Sequence, residues 1–415
     1  MTTAPDRLPR AFWRHFSAST TSNLGDGLVA AAAPLLALTL TNDARLISAV
    51  SFATMLPWLV LSLPVGAYID RFDRKHIMTV ANTVRAGLFA ILSTCIAFGV
   101  VTIWLLLLIV LLLAIGEVFF DMSAQAFLPS IVPERMLERA NGRLYAAEIA
   151  ANSFLGLPLG AWLFVVAAAV PFGIQAIALG IAAALIFSVR PLAPFVPNPR
   201  TTNIRTDIRE GFGWLWRHPL LRTLAVMLGA ANMCHMFAHS IFAKFVRDEL
   251  GLGARAFGML LAVTSVGSIL GGMLGSRIAK QLGAATAIVL SYGMFALLEF
   301  LPFISPTLWS VVMAGVLMAV FGTVWNVLTV SLRQRLIPAE LFGRVNSVYR
   351  FLGTGTSAIG AIIGGQIAYH FGLRATYLVS GVTLSLVLTI GAPLLLRHAR
   401  TYMELERTPA PPSMT

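Results

Sequence analysis

The sequence has few charged residues and almost no cysteine. Only 12% of its 415 residues are charged, whereas 57% are hydrophobic, and soluble domains carry about twice that share of charge. This balance excludes a soluble domain and indicates a chain that folds in a lipid bilayer. The two cysteines, Cys95 and Cys234, both fall within apolar stretches. Neither a disulfide nor a metal cluster is therefore expected.

Motifs for nucleotide binding and for secretion are also missing. The sequence has no Gly-Lys-Ser/Thr phosphate loop, so ATP is not expected to drive the protein directly and no cofactor is expected. The segment SASTTSNLGDGL (17–28) is too polar for a signal-peptide core and predicts a retained first helix. The net charge of +12 could suit a nucleic acid, but the positive loops of membrane proteins explain it better. No nucleic-acid partner is expected.

Apolar stretches long enough to span a bilayer recur along the whole chain. About 20 residues suffice for a membrane helix, and twelve such stretches fit this sequence. The predicted fold is an all-α integral membrane protein with twelve transmembrane helices in two six-helix bundles. The predicted domains are an N-terminal bundle (1–189), a cytoplasmic linker (190–218) and a C-terminal bundle with a short cytoplasmic tail (219–415). The predicted spans are 16–41, 46–69, 76–98, 101–121, 141–165, 167–189, 219–246, 255–279, 284–303, 307–332, 343–369 and 373–396.

The basic residues orient the chain. Most of the 30 lysines and arginines fall in connectors on the same side as both termini. Because positively charged connectors stay in the cytoplasm, both termini are predicted to be cytoplasmic, in a multi-pass protein of the inner (cytoplasmic) membrane. Within the linker, hydrophobic residues recur at helical spacing with arginines between them, which predicts an amphipathic surface helix. These hydrophobic residues are Ile204, Ile208, Phe212, Leu215 and Trp216.

An offset of 205 residues relates the two halves of the sequence. It aligns two separate groups of residues, one before span 3 and its counterpart, the other around span 5 and its counterpart. One offset shared by distant groups indicates a duplicated six-span unit, in which a central site lies between the halves. The aligned pairs are Gly66 and Gly271, Lys75 and Lys280, Pro133 and Pro338, Arg139 and Arg344, Asn141 and Asn346, and Gly160 and Gly365.

Four stretches resemble a known family. GAYIDRFDRKHI (66–77) resembles the signature between spans 2 and 3 of the major facilitator superfamily, with Asp73 where that family usually has glycine. Three others resemble its drug-exporter branch, which includes macrolide and enterobactin efflux proteins: NLGDGL (23–28), GEVFFDMSAQAFLPSIVPERMLERAN (116–141) and IREGFGWLWRHPLLRTL (208–224). The resemblance implies the major facilitator fold. The signature residues that match are Gly66, Asp70, Arg71, Arg74 and Lys75.

Charged residues inside the spans are candidates for proton coupling or substrate binding, because each one needs a partner or a wet cavity. Asp26 lies about 15 Å into span 1, near mid-depth. It could serve coupling or cation binding, or it could form a purely structural pair with Arg85. Glu148 could carry a proton or bind substrate, or it could pair with Arg350 across the halves. The full set is Asp26, Glu117, Glu148, Arg350 and Arg85.

Polar and aromatic residues at spacings of three, four or seven form stripes on several spans. The resemblance implies a central cavity lined mainly by spans 1, 4, 7 and 10. Spans 6 and 12 are almost wholly apolar. Glu299, near the outer end of span 9, is expected at the membrane surface. His235 and His239 could reach one metal ion, but no carboxylate follows at ligand spacing, so no metal is expected. The predicted cavity residues are Asn23, Tyr145, Asn152, Asn232, His235, His239, Trp325, Asn326 and Tyr349.

The resemblance also implies a cytoplasmic gate at the 66–77 loop. Asp121 would pair with Arg74, and Asp70 would meet the positive N-terminal end of span 11 near Phe342 and Gly343. The alternative is a loop that only anchors topology. The gate residues are Gly66, Asp70, Arg71, Arg74 and Asp121.

The predicted function is secondary active export of amphipathic small organic molecules by alternating access, in exchange for protons. One alternative is export of a specific metabolite, such as a siderophore or lipid, without proton coupling. Two departures favour it: the span 5 motif GLPLGA (156–161) differs from the antiporter pattern, and span 4 has no mid-membrane arginine. Another alternative is a membrane-embedded enzyme or scaffold. The expected partners are the substrate, protons and the bilayer, with the protein as a monomer.

Overall fold

Helices account for nearly all of the computed structural model, which describes residues 8–69, 72–191 and 204–407. Twelve of them are long and apolar enough to cross a membrane, which confirms the predicted number of spans. A separate linker helix, Ile204–Arg217, lies between the sixth and the seventh. The twelve are Arg10–Leu40 (α1), Ala44–Ile69 (α2), Arg74–Ala97 (α3), Ile103–Phe127 (α4), Glu134–Val166 (α5), Val170–Phe187 (α6), Pro219–Asp248 (α7), Ala254–Leu282 (α8), Ala284–Ile304 (α9), Leu308–Leu336 (α10), Ala339–Phe371 (α11) and Ala375–Arg407 (α12).

The helices alternate between two faces of the molecule. We call the face at which α1 begins and α12 ends the terminal face, and the opposite one the far face. Short polar caps start several helices at these faces: the carboxylate of Asp73 accepts a hydrogen bond from the backbone N–H of Lys75 at the start of α3, at 2.9 Å. A helix N-terminus has unpaired N–H groups that such a side chain satisfies. The aspartate that departs from the family signature therefore has a local role as a helix cap. The division of the chain at 189 and 218 stays a prediction.

Glycines bring α5 close to α1 and α11 close to α7. A methyl group on Gly160 would lie 2.2 Å from the carbonyl oxygen of Leu28, and one on Gly364 would lie 2.4 Å from the carbonyl oxygen of Phe237. These two contacts occupy the same place in the two bundles. Their glycines are 204 residues apart, one fewer than the predicted offset of 205. The structural counterpart of Gly160 is therefore Gly364 and not Gly365, which faces α2.

A π-helical segment in α5 explains why the offset between the halves falls from 205 to 204. Residues Leu137–Glu148 and Leu157–Val166 are α-helical, but Ile149–Gly156 between them is π-helical. A π-helical turn holds more residues than an α-helical one and shifts the register of all that follows. The offset of 205 therefore applies before this segment and 204 applies after it.

The two bundles are closed against each other at the far face. Arg247 at the end of α7 donates to the backbone oxygen of Leu38 at 3.3 Å and to Oδ1 of Asn42 at 2.8 Å, both in the N-terminal bundle. The guanidinium of Arg45 on α2 lies 3.8 Å from the ring centre of Tyr369 on α11. Toward the terminal face, by contrast, Tyr145 of α5 is 66% exposed. The cleft between the bundles opens toward the terminal face.

The linker helix packs on α11 at the terminal face. Arg344 of α11 forms an ion pair with Glu210 at 2.7 Å. A methyl group on Gly211 would lie 2.7 Å from the backbone oxygen of Arg344, so only glycine permits this approach. Leu215 is fully buried, whereas Phe212 and Trp216 stack on each other and are about 40% exposed. The amphipathic pattern thus buries Leu215 and leaves an aromatic pair at the surface, while the side chains of Ile204 and Ile208 lie outside the described residues.

Candidate functional site

The N-terminal bundle contains a polar cavity of about 440 Å³. It is formed by α1, α4 and α5. The cavity collects four of the carboxylates in the described part of the chain, namely Asp26, Glu117, Asp121 and Glu148. Three predicted coupling residues, Asp26, Glu117 and Glu148, therefore lie in one cavity together with three predicted cavity residues. The other polar residues that line it are His15, Ser19, Ser22, Asn23, Gln125, Asn141, Tyr145 and Asn152.

An ion cluster forms the deep wall of this cavity. Nη2 of Arg85 on α3 lies 2.9 Å from Oδ1 of Asp26 and 3.8 Å from Oε2 of Glu117. The arginine side chain is 2% exposed, whereas the two acidic side chains keep 24% and 35% of their surfaces accessible. One guanidinium thus faces two carboxylates, so the cluster has one net negative charge when both are ionised. A single bound proton would neutralise it.

Gln175 of α6 completes the cluster and was not predicted. Its Nε2 donates to Oδ1 of Asp26 at 2.7 Å, and the side chain is fully buried. A methyl group on Gly25 would lie 1.4 Å from Oε1 of Gln175, so the approach depends on glycine at that position. Gly116 makes similar room for Arg85, whose Cγ would lie 2.8 Å from an added methyl group. The only signal in the sequence was one polar residue in an otherwise apolar span.

Glu148 and Tyr145 lie on the open side of the same cavity. Both are exposed, toward the cleft between the bundles. Glu148 directly precedes the π-helical segment of α5. The alternative partner considered for it, Arg350, has a side chain outside the described residues, so the pair stays a prediction.

The C-terminal bundle contains a second cavity of about 530 Å³. It is enclosed by α7, α8, α9 and α10 with Tyr377 of α12, and no described residue of the N-terminal bundle lines it. Five predicted cavity residues line it: Asn232, His235, His239, Trp325 and Asn326. The cavity therefore lies inside one bundle and not between the two.

Tyr349 lies away from both cavities. It is 2% exposed, its hydroxyl donates to the backbone oxygen of Leu221, and the guanidinium of Arg333 lies 4.4 Å from the centre of its ring. Tyr349 is part of the hydrophobic core of the C-terminal bundle. Its side chain joins α11 to α7 and α10 in this structure, in place of the predicted position in a cavity wall.

Glu299 is buried and not at the membrane surface. It is 1% exposed and lines the C-terminal cavity. In the described part of the chain no hydrogen bond of regular geometry reaches either carboxylate oxygen, although the hydroxyl of Ser380 on α12 lies close enough to interact. The expectation from its position near the end of span 9 failed because the side chain faces the interior of the C-terminal bundle, where it shares a cavity with Tyr377 of α12.

Two further predicted features can be placed only in part. At the gate, Nη1 of Arg74 donates to the backbone oxygen of Ala126 on α4 at 3.0 Å, and Asp121, five residues earlier on α4, lines the N-terminal cavity. Asp70 and Arg71 lie outside the described residues, and so does the environment of Gly66. The gate therefore stays a prediction. The rings of His235 and His239 are 5.3 Å apart. In the described ranges, no group of three or more His, Cys, Asp or Glu could hold a metal ion.

Comparisons with known proteins place this geometry in a family. The family described as "Transmembrane secretion effector" matches residues 3–413. The multidrug efflux pump Tap of Mycolicibacterium fortuitum is 26% identical over 376 residues, covering 87% of this chain and 90% of that protein. Macrolide efflux protein A of Streptococcus pyogenes is 23% identical over 373 residues, covering 86% and 88%.

Solved structures share the fold. The nucleoside transporter NupG superposes with a TM-score of 0.72 at 13% identity, covering 93% of this chain and 99% of that one. A bacterial homologue of the human lysosomal transporter Spinster, inward-facing and occupied, superposes with a TM-score of 0.73 at 14% identity, covering 96% and 98%. At these identities the likeness shows the fold alone. The chain therefore belongs to the transmembrane secretion effectors, in the drug-exporter branch of the major facilitator superfamily, and it is a membrane transporter and not an enzyme.

Proposed function

We propose that this protein exports amphipathic organic compounds by alternating access, in exchange for protons. The observation that carries the proposal is the ion cluster of Asp26, Arg85 and Glu117, which is buried on one side and open to a cavity on the other. Relatives named as multidrug and macrolide efflux proteins support the choice of substrate. Since charge inside a membrane marks proton and substrate pathways, the cluster is the natural site of coupling.

The direction of export follows from the orientation. The basic connectors lie at the terminal face, which favours a cytoplasmic terminal face in the inner membrane. The cleft open to that face is then the state that takes up substrate from the cytoplasm. Opening at the far face would expose the cleft to the outside, where the substrate leaves and an external proton binds the cluster. Repeated switching between the two states would move the compound out as protons move in.

The test is a pH jump in proteoliposomes that contain the purified protein and a fluorescent macrolide or dye. We expect transport to follow the proton gradient in the parent protein. Because the cluster needs its spare negative charge to take up a proton, Asp26→Asn and Glu117→Gln should lower gradient-driven transport at least about tenfold. Glu138→Gln is the matched control, an amide substitution at an exposed acid that precedes the cavity residues of α5 in the sequence. It should transport like the parent.

Two outcomes would contradict the proposal. Transport that ignores the gradient in the parent protein would exclude proton exchange and favour export of a metabolite without coupling. Unchanged gradient-driven transport in both cluster variants, at parental stability, would leave Asp26 and Arg85 with the structural role of joining α1 to α3.

A further inference from the structure

The cavity in the C-terminal bundle has a composition unlike that of the ion cluster. Among the residues that the structure describes, its lining includes a single carboxylate, that of Glu299, and no lysine or arginine. Its two imidazoles belong to His235 and His239 on α7. The N-terminal cavity, in contrast, has its own cation in Arg85. The two cavities are therefore suited to different occupants.

We propose that the cavity enclosed by α7–α10 and Tyr377 is a binding site for an amphipathic organic monocation, with Glu299 as the counter-ion. The inference rests on the proposed transport of amphipathic compounds and names the charge that this second site selects. It assigns substrate binding to the C-terminal bundle and leaves the proton to the N-terminal one.

The first support is the unmatched carboxylate. Glu299 is 1% exposed, and among the described residues the hydroxyl of Ser380 lies beside it without regular hydrogen-bond geometry and carries no charge. An ionised carboxylate in such surroundings is strongly unfavourable without a compensating positive charge. Within the part of the chain that the structure describes, no lysine or arginine reaches this cavity to supply it. A positively charged ligand would supply the missing charge.

The second support is the wall of the cavity. Aromatic residues line the same cavity as Glu299, and the rings of Tyr292 and Trp325 pack 5.2 Å apart. A cation over an aromatic face is attracted by the electrons of the ring, by about 0.5–2 kcal/mol. The volume of about 530 Å³ falls within the range of roughly 300–1,000 Å³ that drug-sized ligands occupy. The aromatic residues of the lining are Phe242, Tyr292, Phe295, Phe321, Trp325 and Tyr377.

The third support is the polarity along the cavity. Ser268 and Asn326 are exposed and mark its mouth, whereas Glu299, Pro302 and Tyr377 are buried and form its closed end. A ligand that enters with its charge first would place that charge at Glu299 and its apolar body between the rings. An amphipathic monocation has this shape, and a second charge on the ligand would meet no charged side chain among the described residues of the mouth.

The test compares two probes of similar size that differ in charge, the tetraphenylphosphonium cation and uncharged triphenylphosphine oxide, by calorimetry on the purified full-length protein. We expect Glu299→Gln to weaken binding of the cation at least about tenfold, the equivalent of 1.4 kcal/mol. Binding of the neutral probe should change less than about twofold, because the amide keeps the shape of the carboxyl group. Glu299→Asp should retain most of the affinity, and Glu138→Gln should bind like the parent.

A second measurement does not depend on changing Glu299. In Ser268→Cys, saturating tetraphenylphosphonium should slow labelling of the new thiol by a water-soluble maleimide, because the bound cation fills the cavity behind it. An unchanged labelling rate would overturn the proposal. So would a Glu299→Gln variant that binds the cation like the parent, or that loses both probes equally.

These measurements use no proton gradient. A failure of proton exchange therefore leaves them unaffected, and cation binding that ignores Glu299 overturns only the present inference.

Discussion

The guanidinium of Arg85 is buried, while the two carboxylates beside it are open to the N-terminal cavity on their other side. A buried charge needs a close partner because desolvation is costly. Asp26 provides this partner at 2.9 Å, with Gln175 as a further donor, and Glu117 lies farther away at 3.8 Å. We infer that Asp26 is the structural anchor of the cluster and that Glu117 is the better place for an exchangeable proton.

The contact between Gly25 and Gln175 gives a prediction at the scale of one residue. In Gly25→Ala the new methyl group would occupy the place of Oε1 of Gln175, so the bond from Gln175 to Asp26 should break. Loss of a hydrogen bond to a charged group costs about 1.5–3 kcal/mol. We therefore expect a lower unfolding midpoint in detergent than for Gly180→Ala on α6, where an added methyl group meets no atom within 4 Å.

A double variant separates this effect from general crowding. If the methyl group acts through Gln175, Gly25→Ala combined with Gln175→Ala should destabilise by less than the sum of the two single changes. Equal midpoints for Gly25→Ala and Gly180→Ala would show that α1 has room for the methyl group, and that the bond to Asp26 survives.

At the scale of one helix, α5 combines two contact faces that a regular α-helix would not align. Ala140, before the π-helical segment, is fully buried in the core at the terminal face. Gly156 and Gly160, at its end and beyond it, lie against the backbone of α1. The extra residue in the segment Ile149–Gly156 allows both faces to pack at once. Such a register shift is also a recurring feature of functional sites, and here it lies next to Glu148.

Removing one residue from this segment gives the prediction for α5. Deletion of the exposed Ala150 should restore a regular helix and turn Tyr145 and Glu148 by about 100° relative to Gly160. The deletion then disrupts packing either in the core around Ala140 or at the contact with α1, so we expect a lower unfolding midpoint. A cysteine at position 145 should also react more slowly with a water-soluble maleimide.

The control for this deletion removes Asn198 from the proline-rich connector and should leave both measurements unchanged. A deletion of Ala150 with the stability and the labelling rate of the parent would mean that the register of α5 is not what presents Glu148 to the cavity.

At the scale of the whole molecule, the sequence predicted the twelve spans because membrane helices are long, apolar and punctuated by charge. The predicted spans also placed Asp26 and Arg85 at a similar depth in the membrane. The sequence missed Gln175 and wrongly placed Glu299 near the membrane surface, because a single polar residue in an apolar span reveals nothing about its neighbours. The counterpart of Gly160 was misplaced by one residue, because periodicity assumes regular α-helices. These features depend on tertiary packing, which a single sequence does not display.

The closed far face gives the prediction for the molecule as a whole. Arg247 ties α7 to Leu38 and Asn42 in the other bundle, and alternating access requires that such ties break when the far face opens. Arg247→Ala removes them and should shift the population toward the far-face-open state. A change of about 1 kcal/mol would multiply the ratio of the two states by about five.

Spin labels at Val100 and Trp309, exposed residues near the far face in the two bundles, would report this shift as a larger share of long distances. Arg255→Ala removes an equal charge from the exposed start of α8 and should leave the distribution unchanged. Identical distributions for the parent and Arg247→Ala would mean that the hydrophobic contacts around Leu35, Ala161 and Phe245 hold the far face closed without the arginine. A shift in both variants would indicate that net charge at this face, and not the specific bonds of Arg247, sets the balance between the two states.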